Sequence, residues 1–119
     1  MINLNRKIGR IIIDLKAIYV GEDLIIIISG GDRPHVGAVS YGGQEFENKK
    51  FKDNTIIYKN HKEHIISQIF SQRIAEVFKG NYIISAGIHL DNITKEEIEI
   101  VQRMSEELLE EIILIINGE

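Results

Sequence analysis

Four stretches of this chain hold residue types that could do chemistry: GGDRPHVG at 30–37, HKEH at 61–64, Arg73 with Lys62, and SAGIH at 85–89. The first follows directly on the run LIIIISG. It sets Pro34, the one proline, beside His35, one of four histidines. Gly30 and Gly31 permit positive φ or close approach of a ligand to the backbone. Consecutive N–H groups there could form a nest for an anion, and Arg33 adds a fixed charge with a planar fork of donors. Neither GxxxxGK followed by Ser or Thr nor GxGxxG before a helix is present, so the common nucleotide loops are excluded. A tight turn built from turn-forming residues is the competing reading.

His61 and His64 fall one turn apart at the start of a predicted helix. With His35 and His89, both at strand ends, they raise a histidine metal site, against the plainer alternative of solvated polar residues. A helix N-terminus also favours a bound anion, and Lys62 and the histidines reinforce that preference. In SAGIH the small residues Ala86 and Gly87 let either a flat ligand or a packed helix come close. Arg73 reads as a surface residue. No catalytic set completes itself. Ser67 and Ser71 have histidines nearby in sequence but no nucleophile elbow. Glu45 and Glu47 lie in a polar loop, and the absence of cysteine removes disulfides, thiolate zinc sites and a cysteine nucleophile.

The elements that must position these residues follow from hydrophobic pattern. Ile8 to Tyr19 reads as one long strand, VGED at 20–23 as a turn, and LIIII at 24–28 as a second strand, together an antiparallel hairpin. The second strand is apolar on both faces and needs cover on both, from helices or from a second subunit. GAVSY at 37–41 and TIIY at 55–58 are short strands flanking a polar connection at 42–54. Asn60 stands as N-cap to a helix with apolar positions Ile66, Ile69, Phe70, Ile74, Val77 and Phe78, closed by Gly80 as its C′ residue. YIISAGIH at 82–89 is a further strand. Thr94 and Glu97 then form a capping box, with Ile93 and Ile98 at the staple positions. Ser105 before Glu106 and Glu107 could cap afresh, so two C-terminal helices with a bend near Met104 are predicted. The whole is one α+β domain over 1–119, mostly antiparallel, with one central helix and one or two C-terminal helices.

Net charge of −4 is unevenly spread: residues 94–119 carry eight Glu against Lys95 and Arg103. No basic face is left for nucleic acid. The N-terminus lacks a secretory h-region, and the apolar runs fall far short of the roughly 20 residues that cross a bilayer. A cytoplasmic protein, bound to neither membrane nor nucleic acid, is expected.

Three motifs occur in order: GG-x-x-PH-x-G after a hydrophobic strand, HK-x-x-x-IS at a helix start, and AGIH-x-x-x-IT-x-x-x-I after the next strand. Together they resemble the small subunit-D proteins found beside bacterial gallate decarboxylases, the LpdD-like prenylated-flavin chaperones. The resemblance runs from about Val20 to the C-terminal helices. It implies a dimer similar in fold to the eukaryotic proteasome-assembly chaperones, with two copies packing sheets or helices over the strand at 24–28. It also implies a non-catalytic role: binding reduced prenylated FMN as transient cargo and helping to load it into an apo decarboxylase of the UbiD type. The ligand-binding residues carried over by motif position are Gly30, Gly31, Pro34, His35, Gly37, His61, Lys62, Ser67, Gly87 and His89. Arg33 joins them as a candidate phosphate partner. Two alternatives stand beside this one. The first is an assembly factor that binds the decarboxylase without flavin. The second is a small metal-dependent enzyme using His35, His61 and His89.

Overall fold

The strand expected over Ile8 to Tyr19 is interrupted by a turn. Gly9, at φ 58, and Arg10 fold β1 (Ile2–Ile8) back antiparallel on β2 (Ile11–Val20) in the computed structural model, which describes residues 1–43, 54–58 and 64–118. Glycine in the first position of a two-residue hairpin supplies the twist that the flanking strands require. Gly21, at φ 60, does the same between β2 and β3 (Asp23–Gly31), which is the hairpin expected from VGED. β1 went unnoticed in the pattern because Asn3, Asn5 and Lys7 make one of its sides polar, a composition that an edge strand tolerates.

After β3 come β4 (Ala38–Gly42), β5 (Thr55–Ile57), α1 (His64–Val77), β6 (Tyr82–His89) and α2 (Lys95–Ile116). The sheet has the order β1-β2-β3-β6-β4-β5. Among the described residues only the β3–β6 pair is parallel; the other four pairs are antiparallel. The α+β class and the mostly antiparallel sheet are as the sequence predicts. The expected N-cap at Asn60 lies outside the described residues. Gly80 is not the left-handed cap expected of it, since its φ is not positive and α1 has already ended at Val77. A side chain at Gly80 would instead collide with the Glu22 carbonyl.

α2 is one helix, not two. Ser105 does not restart it: the buried hydroxyl donates to the Val101 carbonyl 2.7 Å away, four residues back, and so spends itself inside the helix. The capping box is present, with Thr94 accepting from the Glu97 N–H and Glu97 accepting from the Thr94 N–H. The staple positions Ile93 and Ile98 are both exposed.

Both helices cover the same face of the sheet. Alternation sends Ile13, Leu15, Ile26, Ile28 and Ile84 to that face, where they form one core with Phe70, Met104, Leu108 and Ile112. Burying each such side chain contributes about 1.5–3 kcal/mol. Ser40, Thr55 and Ser67 sit beneath α1 as a small hydroxyl cluster. Ser40 donates to Ser67 at 2.9 Å and lies 2.8 Å from the Thr55 hydroxyl, which fixes the helix to β4 and β5.

The other face carries Ile18, Ile25, Ile27, Ile83, Val39 and Tyr41 across four strands, with Ile12 farther along β2 and Asp14, Lys16, Ser29 and Ser85 interspersed. Among the described residues no helix lies on it. This is the second apolar face expected of the strand at 24–28.

Candidate functional site

β3 and β4 are not neighbours, because β6 stands between them. The chain leaving β3 at Gly31 must therefore pass over β6 to reach β4, and residues 32–37 are that strap. His89 receives its start: the His89 carbonyl accepts from Asp32 N–H at 2.7 Å and from Arg33 N–H at 3.4 Å. Ala86 receives its end, accepting from Gly37 N–H at 2.9 Å. Between these anchors the His35 carbonyl lies against Gly87, so close that a Cβ there would fall 1.5 Å from it. Gly87 is small for the sake of this strap. At Gly87 the expected close approach is made by the chain's own backbone, while Ala86 lies fully buried in the core that the helices cover.

The same hydrogen bonds alter the picture of an anion nest. The N–H groups of Asp32, Arg33 and Gly37 are engaged by β6 carbonyls. Gly31 takes φ 77 and lies against the His89 backbone, as the positive-φ role of the loop glycines requires. What the strap presents outward is side chains. Arg33 Nη2 lies 2.7 Å from Asp91 Oδ1 and 2.9 Å from His89 Nε2, and His89 Nε2 lies 3.0 Å from the same Asp91 oxygen. His35 Nδ1 is 2.9 Å from the Arg33 carbonyl; a carbonyl only accepts, so this nitrogen carries the proton. The His35 and His89 rings meet edge to face with centroids 6.5 Å apart.

A second group of charges locks the strap to its surroundings. Asp32 Oδ2 accepts from Asp91 N–H at 2.9 Å and from Arg10 at 3.4 Å. Arg10, in the β1–β2 turn, also donates to the Asp91 carbonyl at 2.9 Å and to both Glu97 oxygens, at 2.7 and 2.9 Å. The Arg10 hydrogen bond, helped by the Thr94 N–H, holds the Glu97 carboxyl at about 2, below the usual carboxylate range. A lowered folded-state pKa contributes stability above the unfolded value of about 4.3 and loses it as pH falls toward the folded value. Glu97→Gln is therefore expected to lower the melting temperature at neutral pH. The gap from wild type should close between about pH 4.5 and pH 2, where protonation disarms Glu97 in any case; melts across that window check it.

Gly30, Gly31, Arg33, Pro34, His35, Gly37, Gly87 and His89 thus gather at one end of the sheet, at the carboxyl ends of the parallel pair β3 and β6. Ser67 does not join them, being fully buried on the helix side. His61 and Lys62 lie outside the described residues. Arg73 is paired with Glu110 and Glu76 on the helical layer. Among the described residues no group of three or more His, Asp or Glu is placed to hold a metal. No helix among them is long and apolar enough to cross a membrane. Sequence reasoning missed Arg10, Asp32 and Asp91. The local signals of them were Asp32 within GGDRPHVG and the spacing His89-x-Asp91 just past a strand end.

The family model for the prenylated flavin chaperone LpdD-like domain matches residues 7–117. The chain belongs to the LpdD-like chaperone family. It is 33% identical over 94 residues to protein LpdD of Lactiplantibacillus plantarum, an alignment covering 79% of this chain and 69% of that protein. Within the LpdD-like domain matched here, the strap, Gly87 and the Arg33–His89–Asp91 group all fall inside the shared region.

Proposed function

We propose that this chain binds reduced prenylated FMN as transient cargo and helps load it into a UbiD-type decarboxylase, acting as a non-catalytic cytoplasmic homodimer. The observation that carries the reading is the meeting of a strap bearing Arg33 and His35, beside His89, with an open and largely apolar sheet face. Such a ligand is apolar and flat over its fused rings and dianionic at its phosphate. Arg33 and His89 suit the anionic end, since a guanidinium and an imidazole can both donate to phosphate oxygens. His35 is a polar contact for the flavin edge, Gly31 and Pro34 set the strap's path, and Ile27 offers an apolar floor. Lys62 and His61 are further candidate donors by motif position alone. Exposed donors of this kind bind moderately, which suits a protein that must release its ligand, because tight binding slows dissociation.

Anaerobic titration of the protein with reduced prenylated FMN, followed by flavin fluorescence, tests the proposal. Saturable binding is expected, weakened about tenfold by His89→Ala and by His35→Ala while the fold is kept, in line with a lost polar contact worth ~1.5 kcal/mol. Folded protein that binds no flavin would sink it. The open apolar face also supports a second reading, an assembly factor that clamps the decarboxylase without flavin. Co-purification with the decarboxylase from cells unable to make the cofactor would favour that reading.

A further inference from the structure

We propose that the Asp91 carboxylate is a built-in stand-in for the ligand's anion, occupying Arg33 and His89 until a phosphate displaces it. This rests on the reading of the strap as the phosphate end of a flavin site.

The division of labour within Asp91 is the starting point. Its backbone holds the fold together: the N–H donates to Asp32 and the carbonyl accepts from Arg10. Its carboxylate makes its hydrogen bonds elsewhere, with Arg33 and His89. Asp32, the nearby alternative, is different in kind. Its carboxylate accepts from the Asp91 backbone and from Arg10, and so is part of the scaffold.

The three side-chain groups also cannot all be satisfied together. His89 Nε2 lies within 3.0 Å of both a donor, Arg33 Nη2, and an acceptor, Asp91 Oδ1. With a proton on Nε2 the imidazole donates to Asp91 but faces the Arg33 N–H groups. Without it, the ring accepts from Arg33 but faces the carboxylate lone pairs. One contact of the triangle is always unfavourable. Asp91 Oδ1 bridges Arg33 Nη2 and His89 Nε2 as an anion oxygen would, and a phosphate oxygen taking its place could accept from the same two groups.

The contact is weak enough to exchange. The Arg33 and Asp91 side chains are 69% and 56% exposed, and exposed pairs are worth little and are screened by salt. The strap's backbone is pinned at Asp32, Arg33 and Gly37, so releasing Asp91 leaves Arg33 in place to receive the anion. The hydrogen bonds from His89 and Arg33 hold the Asp91 carboxyl below its ordinary value, so it competes as an anion throughout the neutral range.

Asp91→Asn keeps the backbone contacts and removes the competing charge. Compared with wild type, it is expected to bind reduced prenylated FMN about fivefold more tightly, and inorganic phosphate tighter by a similar factor. Reduced prenylated riboflavin, which lacks the phosphate, is expected to bind both proteins equally. Amide and arginine side-chain NMR shifts at Arg33 report the phosphate titration, and Arg33→Gln in the Asp91→Asn background should abolish the gain. Asp91→Ser serves if the asparagine variant folds poorly. Equal or weaker binding of both phosphate-bearing probes by a folded variant overturns the inference, as does failure of either protein to bind phosphate at Arg33. A gain for phosphate alone, with no flavin bound by wild type, keeps the Asp91 inference and removes the cargo reading.

Discussion

Gly87→Ala is expected to lift the 32–37 strap off the sheet and cost about 2–4 kcal/mol of stability. The physical reason is a collision with backbone. The added methyl would fall 1.5 Å from the His35 carbonyl oxygen, and no rotamer change relieves a clash with main chain. Either β6 shifts or the strap rises. A raised strap loses the Gly37–Ala86 hydrogen bond and the alignment of His35 with His89. Urea unfolding measures the first effect, and amide exchange at Gly37 measures the second. Wild-type stability together with wild-type protection at Gly37 would mean the strap does not lie across Gly87.

Ile83→Lys is expected to turn the proposed dimer into a folded monomer. Ile83 lies on the open face between Ile25 of β3 and Tyr41 of β4, and it is 46% exposed, so the substitution leaves the core beneath untouched. Large apolar side chains clustered on an uncovered sheet face favour an interaction site. A lysine in the middle of such an interface leaves a charge without a partner on burial. The dimer should weaken about a hundredfold, or ~3 kcal/mol. Light scattering on a sizing column reads the outcome. A variant that stays dimeric would place the contact on the helical layer or an edge. A monomeric wild type would assign the open face to another occupant, the decarboxylase first among them.

Much of the fold was legible because its signals were local. The strand at 82–89, the VGED turn and the Thr94–Glu97 capping box each depend on residues within a few positions of one another. Failures came where one pattern served two structures. Ile8 to Tyr19 is dense in isoleucine on both sides of Gly9, and nothing in the density marks the reversal that a single positive-φ glycine makes. Ser105 carries the composition of an N-cap, but burial beside α1 turns its hydroxyl back onto its own helix. Of the candidate site, the motifs pointed to Gly31, His35, Gly87 and His89, and the structure sets these side by side. Arg10 and Asp91 stayed hidden because they reach the strap from the first hairpin and the last loop. Such pairings depend on sheet order, which no local pattern encodes. Gly87 was read as room for a ligand or helix, since only the order of strands reveals that the chain must cross there.

The place of β6 also governs the order in which the chain can assemble. β3 and β4 are each complete by residue 42, yet they cannot meet, and the strand that joins them is the last of the six to be made. Until residues 82–89 arrive, the sheet is two separate pieces with unpaired edges, and the strap hangs between them with nothing to cross. Insertion of β6 heals both edges at once and seats Arg33 beside His89 in the same event. A sheet closed by so distant a strand folds slowly for its size, because non-local pairing must be brought together before its contacts repay the entropy. A nascent chain therefore acquires its ligand-facing strap and its finished sheet in one step, and it stays prone to pairing with other chains at those edges until then.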